Sequence, residues 1–149
     1  MLEGHVRGLD QLVKIVNCYG PYNGRYEFLE EIVDNGLMKK SNLILAGDLN
    51  LTLASREVWG ENSILNSIVS YFTHIFQEAN LIGVFPIPLV PAWRNGRIGY
   101  TVVSKCLDMF LMTENFIDNS WVVSMGISDH IPICHQLNID SSKIHYPFK

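Results

Sequence analysis

The chain has 149 residues, of which 48% are hydrophobic and 17% charged, and its formal net charge is -4. This composition excludes an intrinsically disordered chain, and no apolar run approaches the roughly 18 residues that a membrane-spanning helix needs. The acidic balance argues against a broad basic surface that binds phosphate backbones, but it allows a small site that uses acidic groups and a metal ion. The length suits one domain.

The three cysteines, Cys18, Cys106 and Cys134, lie far apart and form no Cys-x-x-Cys pair. A zinc site and a disulfide partner are therefore not expected. Residues 1–5 have neither the basic start nor the apolar core of a signal peptide. These features predict an intracellular protein that does not bind a membrane, and they leave its oligomeric state open.

The first predicted elements are a strand and a helix. Residues 12–19 are rich in β-branched side chains and end at the turn signal Gly20-Pro21, which predicts a buried strand. Between residues 26 and 37, apolar side chains recur at helical spacing with acidic side chains between them. This pattern predicts an amphipathic helix that ends near Gly36.

A second strand and a second helix follow. Residues 42–47 form a short apolar run that predicts a buried strand, and residues 55–62 are polar and predict a loop. Apolar residues at i, i+4 and i+8 between residues 64 and 79 predict a helix with a wide apolar stripe, for which Ser63 is the expected N-cap.

The remainder of the chain is predicted to be mainly strands. Residues 81–91 contain three prolines and little periodicity, which predicts a loop. Strands are predicted at residues 101–104, 107–112, 121–124 and 133–139. The whole pattern indicates a mixed α/β (α+β) fold, with more strands than helices and two helices to cover a sheet face.

Polar residues follow the first two predicted strands. Asn17 and Tyr19 share one face of their strand, where they could donate hydrogen bonds to a phosphate oxygen or simply lead into a turn. Asp48 and Asn50 could act as a base and an amide that together orient a water molecule. They could equally close a turn, as Asp and Asn often do.

Two later segments carry the stronger signals. Asp129 and His130 are adjacent and could supply a hard oxygen ligand and a proton donor, or form an Asx turn in a loop. Asp108 lies in an apolar strand, which is costly unless the carboxylate has a partner such as His130. The alternative is an edge strand with Asp108 facing solvent.

The Trp-Arg-Asn-Gly-Arg segment at residues 93–97 is ambiguous. It could contact a nucleic acid, with the Trp93 indole stacking on a base. It could also be a turn that packs Trp93 inside, which is the interpretation we favour for this side chain.

The motifs gain specificity from their order. Asn-x-Tyr-x-Pro, Gly-Asp-x-Asn, Trp-x-Asn-x-Arg, Leu-Asp-x-Phe-Leu and Ser-Asp-His follow one another along the chain. In this order they resemble the endonuclease/exonuclease/phosphatase superfamily, and within it the apurinic-endonuclease-like domain of plant LINE-type non-LTR retrotransposons. The resemblance covers residues 13–137. It implies a four-layer α/β/β/α sandwich, with two face-to-face sheets and helices outside.

The resemblance also implies Mg²⁺-dependent hydrolysis of phosphodiester bonds in DNA. Tyr19 would then hydrogen-bond the scissile phosphate, and Asp48 would orient or deprotonate the attacking water with help from Asn50. His130 would contact the phosphate and stabilise developing charge, and Asp108 would orient His130.

The same resemblance assigns the remaining contacts. Asp129 would lie at the metal, with Asp48 and Asn50 beside it. The implied substrate-binding residues are Asn17, Trp93 and Arg97.

The sequence departs from the family pattern at its start. The family has two further motifs before the strand at residues 12–19, and the Glu of one of them is a principal metal ligand. Before this strand the chain has only Glu3 and Asp10 as acids, and neither matches that motif. Met109 stands where Arg is usual, and Pro91-Ala92-Trp93 where Thr-Trp is usual.

These departures lead to three functional expectations. We expect residues 1–149 to be the C-terminal portion of a longer sandwich that lacks its first strands, with an incomplete Mg²⁺ site and impaired nuclease activity. The alternatives are an inactive remnant or binding module, and a phosphatase of the same superfamily. A retrotransposon nuclease would act in the nucleus, although Lys39-Lys40 is too short for a basic localisation cluster.

Overall fold

The computed structural model describes residues 1–6, 9, 11–39, 41–60, 67–123 and 128–137, without the side chains of residues 67 and 119. The strands are β1 (Leu2–His5), β2 (Leu12–Tyr19), β3 (Leu43–Asp48), β4 (Val58–Trp59), β5 (Leu81–Val84), β6 (Trp93–Arg94), β7 (Ser104–Lys105), β8 (Asp108–Thr113), β9 (Ile117–Val122) and β10 (Ile133–Leu137). The helices are α1 (Arg25–Asp34) and α2 (Ser67–Glu78). Short 3₁₀ turns lie at Leu37–Lys39, Ser55–Glu57, Gly99–Thr101 and Glu114–Phe116.

A five-stranded sheet in the order β1-β2-β3-β8-β5 forms the centre of the fold. Only the β2–β3 pair is parallel, and α1 forms the crossover between these two strands. Antiparallel pairing then sets β8 beside β3. In this register Tyr19 lies opposite Asp48, and Asp48 lies opposite Asp108.

Both helices cover the same face of this sheet. Because side chains alternate along a strand, every second residue of β2, β3 and β8 points toward them. The resulting core contains Val16, Leu29, Ile32, Leu43, Leu45, Val69, Phe72, Phe76, Met109 and Leu111. The two predicted helices and the two predicted apolar strands, at residues 12–19 and 42–47, are confirmed.

The opposite face of the sheet packs against the β9–β10 pair. Ile44, Met112 and Phe116 form a second buried cluster there, with Ile117 and Leu137 against it. A third sheet, in the order β4-β7-β6, is joined to the segment before β10 by a bridge between Trp93 and His130. The mixed α/β class with packed sheets is confirmed. Among the described residues, both α-helices belong to one outer layer.

Two predictions from the sequence were wrong. Residues 81–84 are not loop but β5, which pairs with β8 at the sheet edge. This strand is too short for its alternation to be recognised, and the prolines that suggested a loop begin only after it. Of the strand predicted at residues 101–104, only Ser104 is in a strand, Ser104–Lys105; Thr101 ends a 3₁₀ turn, and residues 102–103 have no regular structure.

Other predictions were partly correct. The expected loop at residues 55–62 begins with a 3₁₀ turn and the short strand β4. Strand β1, which pairs antiparallel with β2, was not predicted. Ser63 and the ends of two predicted strands, at residues 124 and 138–139, lie outside the described residues. No helix in the described part of the chain is long and apolar enough to cross a membrane.

Candidate active site

Three neighbouring strands each place one polar side chain at the same end of the central sheet. Tyr19 ends β2, Asp48 ends β3 and Asp108 begins β8, and the register aligns them in one row. Tyr19 is 78% exposed, whereas Asp48 is only 7% exposed. Gly47 has φ 130°, and a Cβ there would collide with the Cys18 carbonyl oxygen. Glycine therefore lets β2 and β3 approach closely just before the row.

The loop after β3 fixes the orientation of the Asp48 carboxylate. The Asn50 backbone N–H donates to Asp48 Oδ1 at 2.7 Å, in a left-handed turn with φ 50° at Asn50. The Asn50 side-chain Nδ2 donates to the Gly20 carbonyl oxygen at 2.6 Å. Arg25 Nη1 donates to the Asn50 carbonyl oxygen at 2.7 Å. Because Nδ2 donates a hydrogen bond to the backbone, Oδ1 is the atom of the Asn50 side chain that we expect to contact a water molecule or a metal ion.

His130 joins the row from the loop before β10. Its Nδ1 donates to Asp108 Oδ2 at 2.7 Å, and its Nε2 lies 3.8 Å from Asp48 Oδ2. Its backbone N–H donates to Ser128 Oγ at 3.1 Å. The bond to Asp108 fixes which nitrogen carries a proton toward the carboxylate, so Nε2 is directed toward Asp48. The separation of 3.8 Å is too long for a hydrogen bond, so both groups keep capacity to bind a third oxygen.

The acidic residues around His130 raise the pKa of its imidazole. Burial lowers the pKa of His130, but the hydrogen bond and charge of Asp108, with the charges of Asp48 and Asp129, raise it by more, so that the net shift is upward. Burial is the main reason that the pKa of Asp48 is raised, and the Asn50 hydrogen bond opposes this shift. The site therefore favours a protonated imidazole beside a carboxylate that accepts protons more readily than usual.

Asp129 and Trp93 contact each other rather than Asp48. The Trp93 indole N–H donates to Asp129 Oδ2 at 3.1 Å. The Ile131 backbone N–H donates to the Ala92 carbonyl oxygen at 2.7 Å, which ties the same two segments together. Trp93 is partly buried and Asp129 is exposed. The indole N–H thus has a structural contact, but Trp93 lies in strand β6 and is only partly buried, whereas we favoured a turn that packs it inside.

The remaining predicted substrate contacts lie at the margins. Asn17 is exposed on β2, two residues before Tyr19 and on its face. Arg97 is exposed in the loop between β6 and β7, where its backbone N–H donates to Asn95 Oδ1 at 3.2 Å. Asn95 also donates to the Thr101 carbonyl oxygen at 2.9 Å, so it braces this loop.

Glu57 is a buried acid that the sequence did not single out. It is 1% exposed, and its Oε2 accepts a hydrogen bond from the Leu53 backbone N–H at 2.6 Å. Burial is the main reason that its pKa is raised. Its carbonyl oxygen accepts from the Cys106 backbone N–H at 3.0 Å, close before Asp108. Glu57 therefore holds the loop after Asp48 against the segment before Asp108. The sequence did not predict this contact, because Glu57 is a single acid in a polar stretch.

The donor atoms fit a hard divalent cation in type but not in number. Asp48 and Asp129 are carboxylates, as Mg²⁺ prefers. However, Asp48 Oδ1 accepts from Asn50 and Asp129 Oδ2 accepts from Trp93. The described residues contain no group of three or more His, Cys, Asp or Glu side chains that could hold a metal ion. These residues alone therefore do not make a complete Mg²⁺ site.

The chain is similar in structure to the endonuclease domain of TRAS1, a telomere-specific non-LTR retrotransposon. The TM-score is 0.58 at 17% sequence identity, and the match covers 93% of this chain and 63% of that one. No family model matches the sequence, and no curated protein matches it. The likeness shows that the chain has the fold of a retrotransposon endonuclease domain, over less than two thirds of that domain's length.

Proposed function

We propose that this chain is a Mg²⁺-dependent phosphodiester hydrolase that nicks DNA, of retrotransposon origin and with weakened metal binding. The observation that carries the proposal is the Asp108–His130–Asp48 arrangement at the end of the central sheet. The fold shared with an endonuclease domain supports it, and so does the order of motifs along the chain. The proposal includes action on nuclear DNA.

In this mechanism the chain supplies a proton donor to the phosphate and a proton acceptor to the attacking water. Protonated His130 donates from Nε2 to a phosphate oxygen and stabilises the charge that develops there, while Asp108 holds the ring. The Asp48 carboxylate orients the attacking water and accepts its proton, which its raised pKa favours. Tyr19, with its exposed hydroxyl, donates to another oxygen of the phosphate.

Bound Mg²⁺ would offset the negative charge of the phosphate. Asp48 and Asp129, with Asn50 Oδ1, are the groups that would hold it. The Trp93 bond occupies one oxygen of Asp129, so binding Mg²⁺ must compete with or share this contact. We therefore propose weak affinity, and activity only at millimolar Mg²⁺.

The direct experiment measures nicking of supercoiled plasmid DNA with Mg²⁺ and with EDTA. The variants are His130→Ala and, as a matched control, His74→Ala, which removes a solvent-exposed histidine of α2. We expect slow Mg²⁺-dependent nicking that falls by about a hundredfold or more in His130→Ala, a size typical of lost acid catalysis or charge stabilisation. His74→Ala should nick like the parent chain.

A second candidate function is a catalytically inactive DNA-binding module. The lack of a three-ligand metal group among the described residues favours it. Equal trace nicking by the parent chain and His130→Ala would establish this alternative over the nuclease, provided that both chains bind DNA in a gel-shift assay.

A further inference from the structure

Strand β1 forms one edge of the central sheet, and among the described residues no strand pairs with its outer side. All four of its residues are exposed, and Leu2 is 74% exposed. An edge strand presents backbone N–H and C=O groups that can pair with a further strand. The outer side of β1 is therefore a candidate docking surface.

The sheet face beside this edge also exposes apolar side chains. Leu2 lies opposite Ile15 of β2, so the two side chains share the face against which the β9–β10 pair packs. Val13, two residues before Ile15 on that face, is buried, whereas Ile15 is 36% exposed. The core thus stops short of this edge, and a strand added to β1 would reduce the exposure of Leu2.

The opposite edge of the sheet, β5, is less open. A Cβ at Gly83 of β5 would lie 3.2 Å from Leu53 Cδ1 and 3.3 Å from Phe85 Cε2. A Cβ at Gly4 of β1 would meet nothing within 4 Å. A further strand can therefore approach β1 more easily than β5. If two β1 strands pair with each other, both open edges are used and assembly stops at two chains.

Two-fold symmetry restricts how two β1 strands can pair. An axis that relates antiparallel strands of one continuous sheet stands perpendicular to the sheet, so each residue and its copy point to the same face. Directly opposed residues also share a face, so the axis must pass between two copies of one residue. An axis at Leu2 or His5, the ends of β1, would leave only one residue of each strand paired. Glu3 and Gly4 remain.

The side chains of β1 distinguish these two positions. An axis at Glu3 would set two carboxylates directly opposite each other, which is destabilising. An axis at Gly4 sets Glu3 opposite His5 of the second copy, twice by symmetry, and a histidine N–H can donate to a carboxylate in either protonation state. Lys14 of β2 lies beside Glu3 on the same face, and its Nζ donates to the Ser41 carbonyl oxygen at 3.5 Å.

We propose that this chain forms a symmetric dimer in solution, in which two β1 strands pair antiparallel about Gly4 and join the two five-stranded sheets into one. Leu2 then lies opposite Val6 of the second copy, which covers part of its surface. Arg7, outside the described residues, falls opposite Met1. A strand of four residues makes a small interface, and interfaces below about 1,200 Å² are typical of weak, transient complexes. The dimer is therefore weak and reversible.

The test measures the mass of the purified chain by analytical ultracentrifugation, from micromolar to submillimolar concentration. The average mass should rise with concentration from that of one chain toward that of two, and no further. Glu3→Lys and His5→Glu each remove the Glu–His pair at both symmetric positions, so each should weaken association by about fivefold or more. The double variant Glu3→Lys/His5→Glu again sets opposite charges facing each other and should dimerise at least as well as the parent chain.

Three variants serve as matched controls. Glu31→Lys makes the same charge change on the exposed face of α1, and Ile82→Lys places a charge on the β5 edge. Both should dimerise like the parent chain. Asp48→Asn should also do so, which separates this proposal from the proposed nuclease.

Three results would overturn the proposed dimer. The first is a mass that stays that of one chain at every concentration, or that grows beyond two chains. The second is a double variant that associates no better than the single variants. The third is loss of association in Ile82→Lys but not in Glu3→Lys, which would assign the contact to β5. Urea denaturation of each variant checks that it is folded.

Discussion

Asp108 governs the protonation of His130, because its carboxylate accepts the Nδ1 hydrogen bond and its charge helps to raise the imidazole pKa. Asp108→Asn should keep an acceptor but remove the charge, so the His130 pKa should fall. If nicking needs protonated His130, the alkaline limb of its pH profile should move to lower pH in this variant. NMR titration of the imidazole and nicking rates across pH test both statements. An unchanged His130 pKa would show that the contact is not electrostatic.

The same shift contributes to stability in a defined direction. Because the folded-state pKa of His130 is raised above 6.5, its contribution is fully present below pH 6.5 and is lost as the pH rises through the folded-state value. The partial exposure of the side chain keeps this contribution small.

Glu57 allows a separate test of burial. Its raised pKa means that the ionised carboxylate is disfavoured in the fold, so stability from this group is present below its ordinary value of 4.5 and lost as the pH rises through the folded-state value. Glu57→Gln keeps an acceptor for the Leu53 N–H and should be neutral or stabilising at pH 7. Glu57→Ala leaves that N–H without its partner and should cost about 1–3 kcal/mol. Urea denaturation at pH 7 distinguishes them, and equal losses would contradict this account.

At the residue scale, the sequence predicted a contact correctly where an unpaired charge would cost free energy. An acid in an apolar strand needs a partner, and the structure brings Asp108 and His130 together. The bond between Trp93 and Asp129 could not be predicted, because it depends on how two distant loops meet. Glu57 was missed for the same reason, since its partner is a backbone N–H with no sequence signal.

Among the elements, α2 makes the clearest contribution to stability. Phe72 is fully buried, and its ring lies 4.9 Å from that of Tyr71 and 5.8 Å from that of Tyr26 (centroid distances). Phe72→Ala should therefore destabilise the fold by about 3–5 kcal/mol. Ile82→Ala is a control, because Ile82 lies on an edge strand and is 42% exposed. Urea denaturation measures both variants, and similar losses would contradict the assigned core.

The elements that could be predicted are those with a continuous apolar pattern. Strand β3 is covered on both faces by core clusters, and β2 is covered on one face and, at Val13, on the other, so their apolar runs stand out. Strand β5 has four residues, of which Ile82 is exposed and one is glycine, so it offers too little pattern. Strand β1 is exposed throughout and is recognised only by its pairing with β2.

For the whole molecule, the degree to which Mg²⁺ stabilises the fold reports on the completeness of the metal site. We expect no change in melting temperature at micromolar Mg²⁺ and only a small rise at about 10 mM, because binding stabilises by RT ln(1 + [L]/Kd) and the proposed Kd is high. Asp48→Asn should abolish this rise and increase stability without metal, since burial disfavours the Asp48 charge. A large shift at micromolar Mg²⁺ would show that the site is complete.

The strand order also determines when Tyr19, Asp48 and Asp108 can come into one row during synthesis. Strand β3 pairs with β2, which precedes it, but its other neighbour, β8, begins only at Asp108. Closing the long loop between β3 and β8 is slow, because the chain loses conformational entropy before strand pairing compensates for the loss. A nascent chain that ends before β8 therefore leaves the edge of apolar β3 open to other chains. Until β8 docks, Asp48 faces no Asp108, so the proposed site cannot form and the edge of β3 stays uncovered.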